Sequence, residues 1–187
     1  ATIAGTGKNP DAIVYDSASR HVFTFNGHSD NASVIDPATH SVVATIPLPG
    51  KPEFAVSDGS GHIYNNIEDK SELVEIDTAT NKVLHVWPLA LCKSPSGLAI
   101  DNSHHRLFSV CDNQLMAVTD AINGHQVAIV PIGDGPDAVV FDAAESTIYS
   151  SNGESGTITE VHEDHPDHYR VTATISTQVS ARTEALD

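Results

Sequence analysis

Cations, aromatics and sulfur are scarce in this sequence. Nine Lys and Arg face 25 Asp and Glu over 187 residues, a formal charge of −16. So few cations give no patch for a phosphate backbone or an anionic lipid surface, so neither nucleic acid nor membrane surface is an expected partner. No apolar run approaches the roughly 18–20 residues that span a bilayer, which excludes a helical membrane span. Aromatic residues make up 5% of the chain, with one Trp and one Met. The two Cys are no disulfide framework, though they permit one bridge. No Gly-x-Ser-x-Gly elbow, His-Glu-x-x-His helix or Cys-x-x-Cys pair is present, and the Gly5-Thr6-Gly7 run lacks the helix a phosphate loop needs. A hydrophobic content of 40% nevertheless supports a packed core.

The chain does hold a repeat. Pro10-Asp11-Ala12-Ile13-Val14-Tyr15-Asp16 aligns with the segments that begin at Pro52, Pro95 and Pro136 and end at Asp58, Asp101 and Asp142. A fifth copy, Ala181 to Asp187, lacks only the proline. The spacings are 42, 43, 41 and 45 residues, and a second landmark (Asp36, Asp77, Asp120, then His162) recurs in phase. Each repeat reads as four short strands. The first is a near-continuous apolar run expected to be buried on both faces, and the second is rich in β-branched and aromatic residues. Four strands every 40–45 residues predict an all-β chain, a β-propeller of four-stranded antiparallel blades of about 43 residues. Blades are expected at residues 10–51, 52–94, 95–135 and 136–180. An outer strand at 1–9 and the first strand of a further blade at 181–187 complete a single domain.

Asp36, Asp77 and Asp120 open the turns between strands three and four, and Asp16, Asp58, Asp101 and Asp142 open those between strands one and two. A carboxylate there accepts backbone N–H groups two residues on. The fifth residue of the first set is His40, Asn81 or Gly124, types that tolerate a positive φ. These seven carboxylates are therefore assigned to turns rather than to chemistry.

Val43-Ala44-Thr45-Ile46-Pro47-Leu48-Pro49-Gly50-Lys51-Pro52, Gly133-Asp134-Gly135-Pro136-Asp137-Ala138-Val139 and Val34-Ile35-Asp36-Pro37-Ala38-Thr39 resemble the YVTN-type repeat of bacterial YncE-like β-propellers. The resemblance covers essentially the whole chain. It implies a seven-bladed ring of about 300 residues, exported to the periplasm or cell surface or secreted, of which this chain would be a portion. The alternative is a subunit completed by other copies through its terminal strands, which would expose blade faces as a lone monomer. With neither an initiator Met nor a signal peptide at Ala1, any targeting segment is expected to have been removed. The family carries no uniform activity, so function has to be sought in a site.

Strand alternation gathers the longer loops at one end of the blades. Asn26, His28, Asn65, Asp112, Asp137, Asn152 and Arg182 are the candidate ligand-binding residues there, suited to a protein or a small polar ligand. The three Asn also read as turn-closing groups bonded to their own backbone. Cys92 and Cys111 fall at the same end and are expected to form a disulfide, against the alternatives of free thiols or a soft-metal site. His162, His165 and His168, with three carboxylates in seven residues, are a candidate site for Zn²⁺, Cu²⁺ or Ni²⁺, or else an exposed loop. His104-His105 carries less weight, and Asn31-Ala32-Ser33 is a glycosylation sequon. The expected function is a non-enzymatic exported binding or scaffold module that requires no cofactor. Two alternatives are a lactonase-like hydrolase with a divalent metal at the channel mouth and a self-assembling surface subunit.

Overall fold

The computed structural model describes residues 2–186. It is a β-propeller fold built from four four-stranded antiparallel sheets, each one a blade. In chain order the strands are β1 Pro10–Asp16, β2 His21–Asn26, β3 Asn31–Asp36, β4 Ser41–Pro47, β5 Pro52–Ser57, β6 His62–Ile67, β7 Glu72–Asp77 and β8 Lys82–Pro88. They continue as β9 Pro95–Asp101, β10 Arg106–Cys111, β11 Leu115–Asp120, β12 Gln126–Pro131, β13 Pro136–Asp142, β14 Thr147–Asn152, β15 Thr157–His165 and β16 His168–Ser176. The sheets group into two compact units of two blades each, residues 1–88 and 89–187. No described helix is long and apolar enough to cross a membrane.

The turns follow the Asp rule. Asp36 accepts the Ala38 N–H at 2.8 Å and Asp77 the Ala79 N–H at 2.7 Å, and these bonds, with the Thr39 and Thr80 hydroxyls, hold both carboxyls below their ordinary range. His40, Asn81 and Gly124 close the turns at φ 54°, 55° and 73°. A register irregularity recurs where each first strand pairs with the second, so the blades share a kink as well as a period.

Burial corrects one expectation. The strands buried on both faces are the second and third of the first three blades and the second of the fourth, not uniformly the first, and β15 alternates between buried and half-buried residues. Phe23, Phe25, Val34, Ile63 and Ile76 are fully buried in the first unit, as are Phe108, Val110, Met116, Val118 and Ile148 in the second. β9 is mostly buried, but in β1 Ile13 and Tyr15 stand 69% and 57% exposed. Middle strands have a ladder partner on each side, whereas a first strand depends on the next blade to cover it, and within its unit β1 has that cover on one side.

The terminal segments also depart from the reading. Residues 2–9 and 181–186 form no strand. A strand requires a ladder partner, and these segments bond to serine hydroxyls instead. Gly7 and Lys8 donate their N–H groups to Ser33 and Ser29 Oγ, and Ser151 Oγ donates to the Arg182 carbonyl at 2.7 Å. Ala1 and Asp187 lie outside the described residues.

Cys92 and Cys111 are disulfide-bonded across a sequence separation of 19, with Cα atoms 5.4 Å apart and both residues buried. The bridge ties the loop before β9 to the end of β10, and closing a loop of this length stabilises by about 3 kcal/mol in the chain-entropy picture. The double variant Cys92→Ser/Cys111→Ser is expected to lose about that much in urea unfolding; an unchanged midpoint would show that the bridge constrains nothing.

Candidate functional site

The seven loop-end residues divide by burial. Asn26, Asn65 and Asn152 are fully buried with their amide nitrogens bonded inside their own blades, so they form no ligand-facing ring. Asn26 Nδ2 donates to Asn31 Oδ1 at 2.8 Å and Ser33 Oγ at 3.0 Å. Asn152 repeats this with Thr157 and Thr159 Oγ1 at 3.2 and 2.9 Å. Asn65 Nδ2 instead reaches the Glu53 and Phe54 carbonyls. Two of the three therefore brace the third strand through its hydroxyls and not through their own backbone. The Asn31 side chain of the sequon takes part in the first of these braces. His28 is exposed in the first unit and donates its backbone N–H to the Lys8 carbonyl.

Asp112, Asp137 and Arg182 come together in the second unit around a cavity of about 480 Å³, with Glu154 beside them. β13 presents Asp137, the segment after the β10 disulfide presents Asp112, and the chain beyond β16 brings Arg182 back across the opening. The Arg182 guanidinium grips Asp137 with Nη2 at 2.9 Å and Nε at 3.2 Å, a two-pronged, solvent-accessible pair. Gly135 lies at φ 62°, and a Cβ there would meet Glu154 Cγ at 2.3 Å, so glycine is required where the floor bends. The rim is closed by backbone bonds, Gly153 N–H to the Gly135 carbonyl and Ser180 N–H to the Gly153 carbonyl, both 2.7 Å.

His162, His165 and His168 are not gathered into one site, and their tract is not a loop. β15 runs through to His165, the turn is Pro166-Asp167, and His168 begins β16. Asp164 sits between His162 at 3.7 Å and His168 at 3.3 Å, and is itself held by Arg170 Nε at 2.9 Å, which keeps its carboxyl low. The hairpin tip is pinned to the preceding blade by Arg106, whose Nε donates to the Pro166 carbonyl at 3.0 Å and whose Nη2 donates to Asp167 at 2.7 Å.

That docking produces a cluster the sequence reading passed over. Asp101 at the end of β9, His104 in the following turn and Glu163 of β15 place three potential ligand atoms within 4.8 Å of one another, the one such group of His, Cys, Asp or Glu among the described residues. Burial and the facing Asp101 carboxylate push Glu163 above the ordinary carboxylate range. The signal was in the repeat columns: position 163 aligns with Thr78 and Ala121, and position 104 with Ser19.

The chain matches no protein-family model and no curated protein. Solved structures do resemble it. Hydrazine synthase of Kuenenia stuttgartiensis aligns with TM-score 0.80 and 16% identity over 95% of this chain and 53% of that one. A putative 6-phosphogluconolactonase from Bacteroides uniformis gives 0.77 and 12% over 91% and 55%, and a functionally unknown protein from Desulfotomaculum acetoxidans gives 0.75 and 12% over 88% and 55%. The chain thus spans about half the length of these structures, and identities this low show the propeller fold alone.

Beside the cavity, Ser151 N–H donates to Glu184 Oε1 at 3.2 Å. Burial lifts the Glu184 carboxyl to about 7, against the lowering effect of that bond. A carboxyl raised in the folded state contributes stability that is full below its unfolded value of 4.5 and is lost as pH rises through about 7. Hydrogen exchange at residues 181–186 is expected to quicken from pH 4.5 to 7 beyond the intrinsic rate, and Glu184→Gln to remove that excess; an unchanged profile in the variant would refute the assignment.

Proposed function

We propose that this chain is an exported binding module of the YVTN-type propeller class, and that the cavity around Asp137 and Arg182 takes a polar ligand bearing a cationic group. Three observations support the reading: the repeats resemble that class, a disulfide suits an oxidising compartment, and the loop end holds a cavity large enough for a small molecule or a protein side chain.

The observation that carries it is the charge of the cavity. Asp112, Asp137 and Glu154 outnumber the single guanidinium of Arg182. An incoming ammonium or guanidinium group can replace Arg182 on Asp137 and gain the other two carboxylates as neighbours. The Arg182 side chain is 62% exposed, so a ligand can reach its pair with Asp137 from solvent. Binding rather than turnover is the proposed role.

The test is NMR titration with a panel of primary amines, guanidinium compounds and short basic peptides, with acetate and phosphate as controls. Cationic probes are expected to shift the amides of Gly135, Gly153 and Ser180 saturably. Asp137→Asn should weaken binding about tenfold, the effect of roughly 1.4 kcal/mol. Shifts by the anions alone, or none, would overturn the proposal.

A further inference from the structure

We propose that Asp101, His104 and Glu163 form a binding site for one divalent ion of the zinc class, clamping the third blade to the fourth at the end opposite the cavity. The site does not depend on the proposed ligand.

The geometry is that of ligands gathered around a point. His104 Nδ1 lies 2.8 Å from Asp101 Oδ2 and 3.0 Å from Glu163 Oε1. An imidazole nitrogen carries at most one hydrogen, so it can serve only one of those oxygens. Neither oxygen receives a hydrogen bond of acceptable geometry, nor does Glu163 Oε2. Both carboxylates are more than nine-tenths buried. Two buried carboxylates that share one imidazole nitrogen, with Asp101 Oδ2 and both Glu163 oxygens otherwise without a donor, are costly unless a cation sits between them.

The same junction in the first unit shows what a site with no such need looks like. There the first-strand carboxylate is Asp16, also fully buried. Its Oδ1 accepts the Ser57 hydroxyl at 2.7 Å, its Oδ2 accepts the Ser19 N–H at 2.8 Å, and the Thr78 hydroxyl also donates to it. In the second unit the aligned residues are Phe141 for Ser57, His104 for Ser19 and Glu163 for Thr78. Two hydroxyl donors have given way to a phenyl ring and a carboxylate, while a metal-ligating imidazole has replaced a serine. Each of these three changes removes a hydroxyl donor or adds a ligand, while Ser103 in the column of Ala18 supplies a donor to the other Asp101 oxygen, Oδ1.

One imidazole nitrogen and two carboxylate oxygens suit zinc and its neighbours better than calcium or magnesium, which prefer oxygen alone. Ligand bonds of about 2.0–2.2 Å require donors roughly 3.0–3.5 Å apart, so the two distances from His104 need to open by only a few tenths of an ångström. The outer contacts are in place. Ser103 N–H and Oγ donate to Asp101 Oδ1 at 2.8 and 2.6 Å, orienting the other oxygen inward. His104 is half exposed, which gives the ion an entry path and water to complete its coordination.

The experiment is calorimetric titration of chelator-treated protein with zinc chloride, followed by thermal melting. One ion per chain and a zinc-dependent rise in melting temperature are expected. Glu163→Thr and His104→Ser, which restore the residues of the first unit, should each weaken the dissociation constant by at least about tenfold. His165→Ala/His168→Ala, at the hairpin tip, should leave it unchanged. His104→Ser alters a half-exposed turn, so it decides the matter if Glu163→Thr fails to fold. Absence of saturable zinc binding, full affinity in His104→Ser, or loss of the site in the hairpin variant would each overturn the proposal.

Discussion

A buried carboxylate at the end of each unit's leading first strand has to find its donors in the neighbouring blade. The Asp that turns the chain from β1 to β2, or from β9 to β10, is drawn under the next blade by the same packing that buries the apolar core. An unsatisfied polar group there would cost on the order of the stabilisation a core side chain provides. The side chains across the junction are therefore constrained as tightly as those inside a blade. Where they are Ser57 and Thr78, the junction is self-sufficient. Where they are Phe141 and Glu163, it is not.

The two ends of the blades do different work. The short-turn end repeats with little variation up to the β15–β16 hairpin because its turns are led by an Asp and closed by a residue that accepts positive φ, and within each unit one blade docks on the next through those turns. The loop end is released from that requirement. There the second unit uses a disulfide, two tightly packed glycines and a returning segment to shape a cavity whose charge is mostly carboxylate. Turn carboxylates that accept backbone N–H groups and cavity carboxylates that face the opening thus both contribute to the acidity of the chain.

Much of the architecture was legible in the sequence because it is written along the chain. Strand period, Asp-led turns and the Cys pair are local patterns or fall out of strand alternation, and the structure contains them. Asp112, Asp137 and Arg182 were placed at one end by alternation and do line one cavity. Asn26, Asn65 and Asn152 were misjudged because regular spacing at a strand end does not reveal whether the side chain turns outward or braces the next strand. The histidine tract was read as a binding tract or a loop because its neighbours in sequence are polar. Its actual partners, Arg106 and Asp101, lie some 60 residues earlier in the adjacent blade. Cross-blade contacts of that kind become visible only when the repeats are compared column by column, and a carboxylate in a hydroxyl column is the signal.

The most direct test of this account is a crystal structure of the protein grown with zinc, with diffraction recorded on both sides of the zinc absorption edge. The account predicts one strong anomalous peak within about 2.0–2.3 Å of Asp101 Oδ2, His104 Nδ1 and Glu163 Oε1, and none at the Asp16 junction. No peak between those three residues, with Glu163 and Asp101 instead sharing a proton in direct contact, would contradict it.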